Sequence, residues 1–509
     1  MLSKLLKTLL VTLPYAGLPV AFADSGNSSD SIQNSLLISQ VVIANPQTTQ
    51  SSQPVDVLIE NERISRIEPN LKASLAKQIQ VIEGKGYFLA PGLIDSHTHL
   101  GGVPGMTGKQ QIEFPNINLM ARQHIPLSYL YYGFTSVVDL NSAGEDIEHW
   151  NKQPLRPQAY FCGAAPVMDG YPTYFIPEQY RYQAVPNFIV DETHRERFAS
   201  DSEYQSHRPK AAVKRIQQDG AICVKSHYES GFGGHGNWPV PSLALLQELV
   251  AQAHQLDLPV LLHANSQQAQ QIGVKAGVDA FAHGMWTWDD ADQTELTGEI
   301  RQILDAAIVK NIKQQPTFQV LYGERDLHDP EYLQSKQIKQ AVPAQVLDWY
   351  QTDAGQFATR SALEIPYIKS FLQHNSWQQL DAKPLARLTA TVKYLDQHTA
   401  TDNSLFLFGS DTPSDLTYAN PTGYNGYLEA QRWRDAGISA LQWFRAATIN
   451  NARFFGLEQE IGSISVDKRA DLLLLSKDPR TDYAALDSIK LVVIKGKVVE
   501  RQQLSAQNH

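Results

Sequence analysis

Two histidines separated by a single residue follow an apolar stretch near the start of the chain. The stretch covers residues 90–95 and leads into His97 and His99. Because side chains alternate between the two faces of a strand, both imidazoles would point to the same side. Two imidazoles placed in this way can hold one metal ion. A His-x-His pair alone is more often a surface feature, so its meaning depends on the residues downstream.

Four further polar residues stand at the carboxyl ends of short apolar segments. They are Lys225, His263, His283 and Asp411. Each alone has an ordinary explanation, such as a hydrogen-bonded strand end, an exposed lysine or, for Asp411, a helix cap. Their joint placement favours a single site, because the carboxyl ends of parallel barrel strands meet at one mouth.

This set of donors indicates metal-dependent hydrolysis. Neutral imidazoles and a carboxylate are good ligands for zinc and similar divalent ions. A bound metal lowers the pKa of its water to about 7, which makes hydroxide available at neutral pH. Asp411, placed beside that water, would take its proton and pass it to the leaving group. We therefore predict a hydrolase with Asp411 as general base and acid.

The segment from residue 90 to 455 alternates strands and helices, a pattern typical of a parallel α/β sheet. Eight strand–helix units over this length fit a TIM barrel with insertions. Two helices stand out, one over 242–256 with Ser242 as N-cap and one over 266–275. The candidate strands are 93–97, 134–139, 158–162, 221–225, 259–263, 279–283, roughly 312–317 and 405–410.

The two flanks of this segment are rich in short strands. Residues 35–89 contain several, and residues 456–503 contain a buried leucine run followed by a hairpin. Neither flank is long enough to bury both faces of a sheet alone. We therefore predict one small β-sandwich assembled from both flanks.

Two insertions follow the third and seventh candidate strands, where loops line the catalytic mouth of a barrel. Residues 163–210 are rich in tyrosine, which predicts a substrate lid. Residues 318–402 are charged and helical, and a peripheral packing or oligomer surface explains them as well as a lid does.

The composition is that of an ordinary globular protein, with 42% hydrophobic and 19% charged residues over 509 positions. The net charge of -10 argues against nucleic acid or an anionic membrane as a partner. A basic start (Lys4, Lys7), an apolar stretch and an Ala-x-Ala ending at Ala23 are typical of an export signal. We predict a signal peptide over 1–23, a disordered leader over 24–34, and a periplasmic or secreted protein without a membrane span after signal cleavage.

The chain has two cysteines, Cys162 and Cys223. In an exported protein they could form a disulfide, but sequence alone does not show that they are close. We slightly favour two unpaired, buried thiols.

Nearly the whole predicted mature chain resembles the amidohydrolase superfamily of metal-dependent hydrolases. Residues 91–99 (PGLIDSHTH) look like its first barrel strand, and 133–139 (GFTSVVD) like its second. Residues 446–456 resemble its last helix, and 462–472 its returning β-segment. Asp467 departs from the family, which commonly has glycine there, but it lies in a predicted turn away from the chemistry. The resemblance implies an α/β fold, a distorted (β/α)8 TIM barrel plus a small β-sandwich built from both chain ends.

The resemblance also implies two divalent metal ions, most commonly Zn²⁺. His97, His99 and Asp411 would hold the more buried ion. His263 and His283 would hold the more exposed one.

Lys225 matches the position of a carboxylated lysine in the binuclear subgroup of the family. A free ammonium has no lone pair and cannot be a ligand, whereas reaction with CO2 makes an anionic oxygen donor that bridges two metals. His227 is a rival ligand if the strand continues past Lys225. Tyr228 could donate to a substrate carboxylate or oxyanion, and His235, in a glycine-rich loop, could meet substrate. Core packing of Tyr228 and simple exposure of His235 explain them at least as well.

The subgroup that the chain looks most like includes imidazolonepropionase-like enzymes and metallo-dipeptidases of the Xaa-Pro and Xaa-Arg type. This implies an exported hydrolase acting on a C–N bond of a small molecule, with a dipeptide or N-acyl amino acid as leading substrate. A cyclic amide, a lactone or a phosphotriester stays open on the same site. A catalytically inactive metal-binding protein is the alternative from another class, and a homo-oligomer stays open because relatives frequently form one. A deaminase is disfavoured, since those relatives generally use one metal and lack the strand-four lysine.

Overall fold

The computed structural model describes residues 35–50, 52–75, 79–232, 236–399, 405–414 and 417–509. The predicted signal peptide and leader therefore lie outside the described residues. Within the ranges given, no helix combines the length and the apolar character needed to cross a membrane.

The described strands form two separate sheets. In one of them the strands from Leu93–Thr98 to Lys313–Gln315 lie side by side in chain order, and every pairing is parallel. The strands are β1 (Ser35–Ile43), β2 (Val55–Glu60), β3 (Arg63–Glu68), β4 (Gln80–Glu83), β5 (Phe88–Pro91), β6 (Leu93–Thr98), β7 (Phe134–Asp139), β8 (Gln158–Ala164), β9 (Cys223–His227), β10 (Val260–His263), β11 (Ala280–Ala282), β12 (Lys313–Gln315), β13 (Leu472–Leu475), β14 (Ile489–Ile494) and β15 (Lys497–Glu500).

Helices follow the strands of the parallel sheet, as the alternating pattern predicts. The helix predicted over 242–256 begins at its expected cap, where Ser242 Oγ accepts from Leu245 N at 3.2 Å. The helix predicted over 266–275 begins one residue later, and Ser266 is its cap, with Oγ accepting from Ala269 N at 3.1 Å. The α-helices are Gly108–Glu113, Pro115–Tyr131, Gly144–Asn151, Glu178–Ala184, Asp201–Ser206, Pro209–Gln218, Leu243–His254, Gln267–Ala276, Gly298–Val309, Phe318–Asp326, Ile338–Ala341, Ala344–Tyr350, Phe357–Leu363, Pro366–His374, Ala382–His398, Tyr424–Asp435, Ala440–Arg445 and Asn451–Phe454.

The eighth predicted strand closes the barrel without forming a regular ladder. The N–H of Gln314 in β12 donates to Leu405 O at 2.8 Å, and the N–H of Ser96 in β6 donates to Phe408 O at 3.1 Å. A Cβ on Gly409 would lie 2.6 Å from Cβ of His97, so glycine is what lets this segment approach β6. The parallel sheet thus curls into a distorted barrel, which confirms the predicted fold class.

The second sheet is mixed and takes strands from both chain ends. Its order is β15-β14-β13-β5-β1-β2-β3, with β4 also paired to β1. The first part of β1 pairs with β2 and β4, and its last residues pair with β5. A core of its own joins the two parts, with Leu36 and Val57 from the N-terminal side and Leu472 and Val493 from the C-terminal side. Neither flank buries this core alone, as the sequence predicts.

Cys162 and Cys223 form a disulfide, which corrects the preference for unpaired thiols. They are direct partners in the parallel pairing of β8 with β9, and their Cα atoms lie 4.4 Å apart. Both are fully buried inside the barrel. Their separation of 61 residues in sequence hid this proximity, because the pairing register of two parallel strands is a property of the folded sheet.

Replacing both cysteines by alanine is expected to lower the free energy of unfolding by about 4 kcal/mol, since the bridge closes a long loop in the unfolded chain. Urea denaturation of the oxidised protein and the double variant measures this difference. Thiol titration of the denatured, unreduced protein should find no free thiol. Two titratable thiols would contradict the bridge.

Candidate metal centre

Three of the predicted histidine ligands meet around the carboxylate of Asp411 at the barrel mouth. The ligand atoms of His97, His283 and Asp411 lie within 4.8 Å of one another, and all three residues are buried. His97 Nε2 is 3.1 Å from Asp411 Oδ1, and His283 Nδ1 is 3.8 Å from Asp411 Oδ2. His99 joins them, with its Nε2 3.0 Å from Asp411 Oδ1. Asp411 is therefore the common partner of three imidazoles.

His263 lies on the outer side of this group. Its ring centroid is 4.5 Å from that of His283. Its Nε2 is 3.2 Å from Oε2 of Glu229, while His283 Nδ1 lies 2.9 Å from Thr317 Oγ1. His283 therefore stands between the two sets of ligands, next to Asp411 on one side and His263 on the other.

Lys225 points into the barrel one strand pleat above Cys223. It is 2% exposed, and its Nζ has no hydrogen-bond partner among the described residues. Burial lowers the pKa of Lys225 to about 7, so the neutral amine that reacts with CO2 is well populated near neutral pH. An unpartnered buried amine is costly, and carboxylation followed by metal binding would satisfy it. The residues of the site thus fit the pair of ions that the resemblance implies.

Burial and charge set the protonation of the other candidate ligands. Burial lowers the pKa of His97 to about 4 and holds the pKa values of His227 and His283 well below the usual value. Burial opposes ionisation of Asp411, but His97, His99 and His283 together outweigh it, and the pKa of the Asp411 carboxyl falls well below its usual range. Neutral imidazoles and an ionised carboxylate are the forms that bind metal ions.

A buried network holds the segment that carries Asp411. The carboxylate of Asp95 accepts from N and Oγ of Ser410 at 2.9 and 2.5 Å. Asn425 Nδ2 donates to Ser410 O at 2.8 Å. Asp411 itself has a φ of 55°, which is uncommon for a residue other than glycine. The network therefore supports an unfavourable backbone conformation that aims the Asp411 carboxylate at the imidazoles.

The residues of strand β9 reach the mouth in alternation. Lys225 and His227 share the inner face, and Glu229 continues the alternation just past the end of the strand. His227 is 6% exposed and its Nδ1 has no partner among the described residues, so it stays a rival ligand. Tyr228 packs in the main hydrophobic core, and its contact with substrate stays a prediction. His235 lies outside the described residues.

Two features of the mouth were missed from the sequence. Glu229 is one of them, although the alternation from Lys225 would have pointed to it. The other is the contact of Phe232 and Trp238 with Tyr171 and Phe175, which belong to the insertion expected to form a lid; these four residues make an aromatic wall. No local pattern indicates that the two loops meet, because they come together only in the folded chain.

The aromatic wall covers the outer imidazoles. The ring centroid of Tyr171 is 4.9 Å from that of His263. Tyr171 stacks on Trp238 at 5.9 Å, and Phe232 meets Trp238 edge-on at 4.9 Å. Phe175 also contacts Trp238, at 5.2 Å. The tyrosine-rich insertion thus lies at the mouth, where a substrate lid was expected.

Comparison with known proteins agrees with this architecture. Residues 392–499 match the sequence model of the amidohydrolase family. Across the fold, the chain is similar to a Xaa-Pro dipeptidase with bound methionine, with a TM-score of 0.61 and 19% identity over 92% of this chain and 100% of that one. The sequence match to the amidohydrolase family thus covers the last part of the chain, whereas the structural likeness covers most of the fold. The chain is also similar to a putative prolidase from Bifidobacterium longum, with a TM-score of 0.57 and 19% identity over 92% and 94% of the two chains. At such identities the likeness concerns the fold alone.

Short stretches of the chain also match curated relatives. It is 41% identical over 58 residues to a dihydroorotase of Aquifex aeolicus, which is 11% of this chain and 13% of that protein. It is 43% identical over 65 residues to an adenine deaminase of Ruegeria sp., which is 13% and 10% of the two chains. Each match thus spans only a small part of the relative's length.

Proposed function

We propose that this protein is an exported binuclear metal-dependent amidohydrolase that cleaves an amide C–N bond of a small substrate, a dipeptide or an N-acyl amino acid. The proposal is carried by the buried group of His97, His283 and Asp411 beside the unpartnered amine of Lys225. The structural likeness to a Xaa-Pro dipeptidase and a putative prolidase supports a peptide-like substrate.

Imidazole nitrogens with carboxylate oxygens form a donor set that suits Zn²⁺. When bound, the ions polarise the scissile carbonyl and lower the pKa of a water molecule. His227 remains an alternative ligand on strand β9. The proposed ligands are His97, His99, His263, His283, Asp411 and Lys225, the last in carboxylated form.

Asp411 carries the proton in the proposed reaction. Its ionised carboxylate takes a proton from the attacking water and delivers it to the nitrogen of the leaving amine. His97 and His99 lie 3.1 and 3.0 Å from Oδ1, which fixes the direction of the carboxylate through both steps. The aromatic wall stands on the outer side of the site, where Tyr171 lies against His263.

The disulfide supports the export part of the proposal, because such bridges form and persist in oxidising compartments such as the periplasm. Amino-terminal sequencing of the protein from the periplasmic fraction of a Gram-negative host is expected to begin at Asp24. A cytoplasmic protein with its Met1 end intact would contradict export.

The substrate class is tested with mature protein loaded with zinc and supplied with bicarbonate. We would assay the release of free amino acids from a broad library of dipeptides and N-acyl amino acids. Cleavage of a subset is the expected result. No cleavage at all, with two metal ions confirmed by elemental analysis, would overturn the amidase proposal in favour of a cyclic amide, lactone or phosphotriester.

Metal removal is expected to abolish activity reversibly. Dialysis against a chelator should take the metal content from two ions per chain to none, and added Zn²⁺ should restore both the metal content and the activity. Metal removal should also lower the Tm, because an ion that binds only the folded state stabilises that state. Full activity in protein shown to be free of metal would contradict the proposed site.

A further inference from the structure

Glu229 is a buried carboxylate at the mouth to which the proposed reaction assigns no role. It is 7% exposed. Oε1 accepts from Gly231 N at 2.9 Å, and Oε2 accepts from Asn265 Nδ2 at 2.9 Å. Oε2 also lies 3.2 Å from Nε2 of His263. These neutral donors hold the carboxylate in one direction without cancelling its charge.

No permanent cation offsets that charge in the part of the chain that the structure describes. His263 is the only titratable partner of Glu229 there, and no lysine or arginine nitrogen lies within 4.0 Å of its carboxylate. The divalent ion that the proposed function places on His263 would offset part of this buried charge, and a cationic ligand would offset more of it. The carboxylate therefore favours a ligand that brings a positive charge to the mouth.

The position of Glu229 suits one particular positive charge. His263, which contacts Glu229, has its ring 4.5 Å from that of His283, a member of the candidate metal group. In a dipeptide, the α-ammonium sits on the carbon attached to the scissile carbonyl. A group that holds this ammonium must therefore lie beside the centre that acts on the carbonyl, as Glu229 does.

The aromatic wall offers a second attraction for a cation in the same space. The ring of Tyr171 lies 4.9 Å from His263, and Trp238 stacks on Tyr171 at 5.9 Å. Aromatic faces attract ammonium groups, most strongly where water is excluded. A neutral N-acyl group lacks the charge-dependent part of both attractions.

We propose that Glu229 binds the free α-ammonium of the substrate, so that the enzyme acts on dipeptides with an unblocked amino terminus rather than on N-acyl amino acids. This inference rests on the proposed amidase function and narrows its substrate class. Glu229 becomes a substrate-binding residue that selects for charge at the amino end.

The kinetic test compares a cleaved dipeptide with its N-acetyl derivative. Glu229→Gln should raise KM for the free dipeptide by roughly 10- to 100-fold, as expected for a lost hydrogen bond to a charged group. KM for the acetylated compound, already high, should change little. Glu229→Asp should recover part of the loss because it keeps the charge. Glu248→Gln, which removes a carboxylate on an outer helix, is the matched control and should behave as wild type.

Two results would overturn the proposal. One is a loss of bound metal in Glu229→Gln, measured by elemental analysis, which would indicate that Glu229 supports metal binding rather than substrate binding. The other is an equal loss of activity on free and acetylated substrates, which would indicate a structural role for the carboxylate.

A binding measurement separates this inference from the proposed reaction. The probe is a phosphinic pseudodipeptide, which cannot be hydrolysed, with either a free or an acetylated amino group. Calorimetry should show tighter binding of the free amine by wild type, and Glu229→Gln should remove that difference. Equal affinities in wild type would refute the role of Glu229 even if dipeptides are cleaved. A difference that depends on Glu229 would support it even if the library assay finds no turnover.

Discussion

Asp411→Asn is expected to lower kcat by roughly 10³-fold or more. An amide cannot take the proton of the attacking water, so the step assigned to Asp411 is lost. Metal content should stay near two ions per chain, since the amide oxygen and the remaining ligands still face the site. Steady-state kinetics and elemental analysis of the same preparation measure the two effects together.

Asp305→Asn is the matched control for this substitution. Asp305 accepts from Tyr394 OH at 2.7 Å on outer helices of the barrel, away from the mouth. Asp305→Asn should leave kcat unchanged. If Asp411→Asn retained wild-type kcat with both ions bound, Asp411 would be removed as the general base.

Lys225→Met is expected to separate stability from function. The side chain of Lys225 is a buried amine without a partner among the described residues, and methionine has no charge to desolvate there. The free energy of unfolding of the metal-free variant should therefore be about 2 kcal/mol higher than that of metal-free wild type. The same variant should lose at least one bound ion and roughly 100-fold or more in activity, because methionine cannot form the bridging carbamate.

Lys313→Met serves as the control for Lys225→Met. Lys313 lies on β12, burial lowers its pKa, and its Nζ donates to Asn311 Oδ1 at 2.8 Å. Lys313→Met should change neither metal content nor activity. Native mass spectrometry of wild type should in addition show the mass of one bound CO2 that is absent from Lys225→Met. An unmodified lysine beside a single metal would refute the binuclear proposal.

Much of the barrel was predictable because the determinants of its strands are local. Strand β7 spans Phe134–Asp139 as predicted, since an apolar run followed by an acidic residue defines both ends. The helix cap at Ser242 was predictable for the same reason. The last barrel strand was harder: residues 405–412 bridge β12 and β6 through isolated contacts, and this irregularity comes from the fit of Gly409 against His97.

The candidate site was predictable in its members but not in its grouping. His97, Lys225 and Asp411 could be named because each stands at the end of an apolar segment. The sequence did not show that His283 would lie 3.8 Å from Asp411 while His263 turns to Glu229. Those distances depend on the curl of the sheet and on the rotamers that packing allows.

The sequence by itself determined the alternation of strands and helices, the residues at the strand ends and the contribution of both termini to the second sheet. These follow from periodicity and from the order of residues along one strand, which a linear chain carries in full. Only the tertiary structure decided the Cys162–Cys223 bridge, the aromatic wall and the buried charge of Glu229. Each depends on the distance between segments far apart in sequence, and that distance exists only once the barrel has closed.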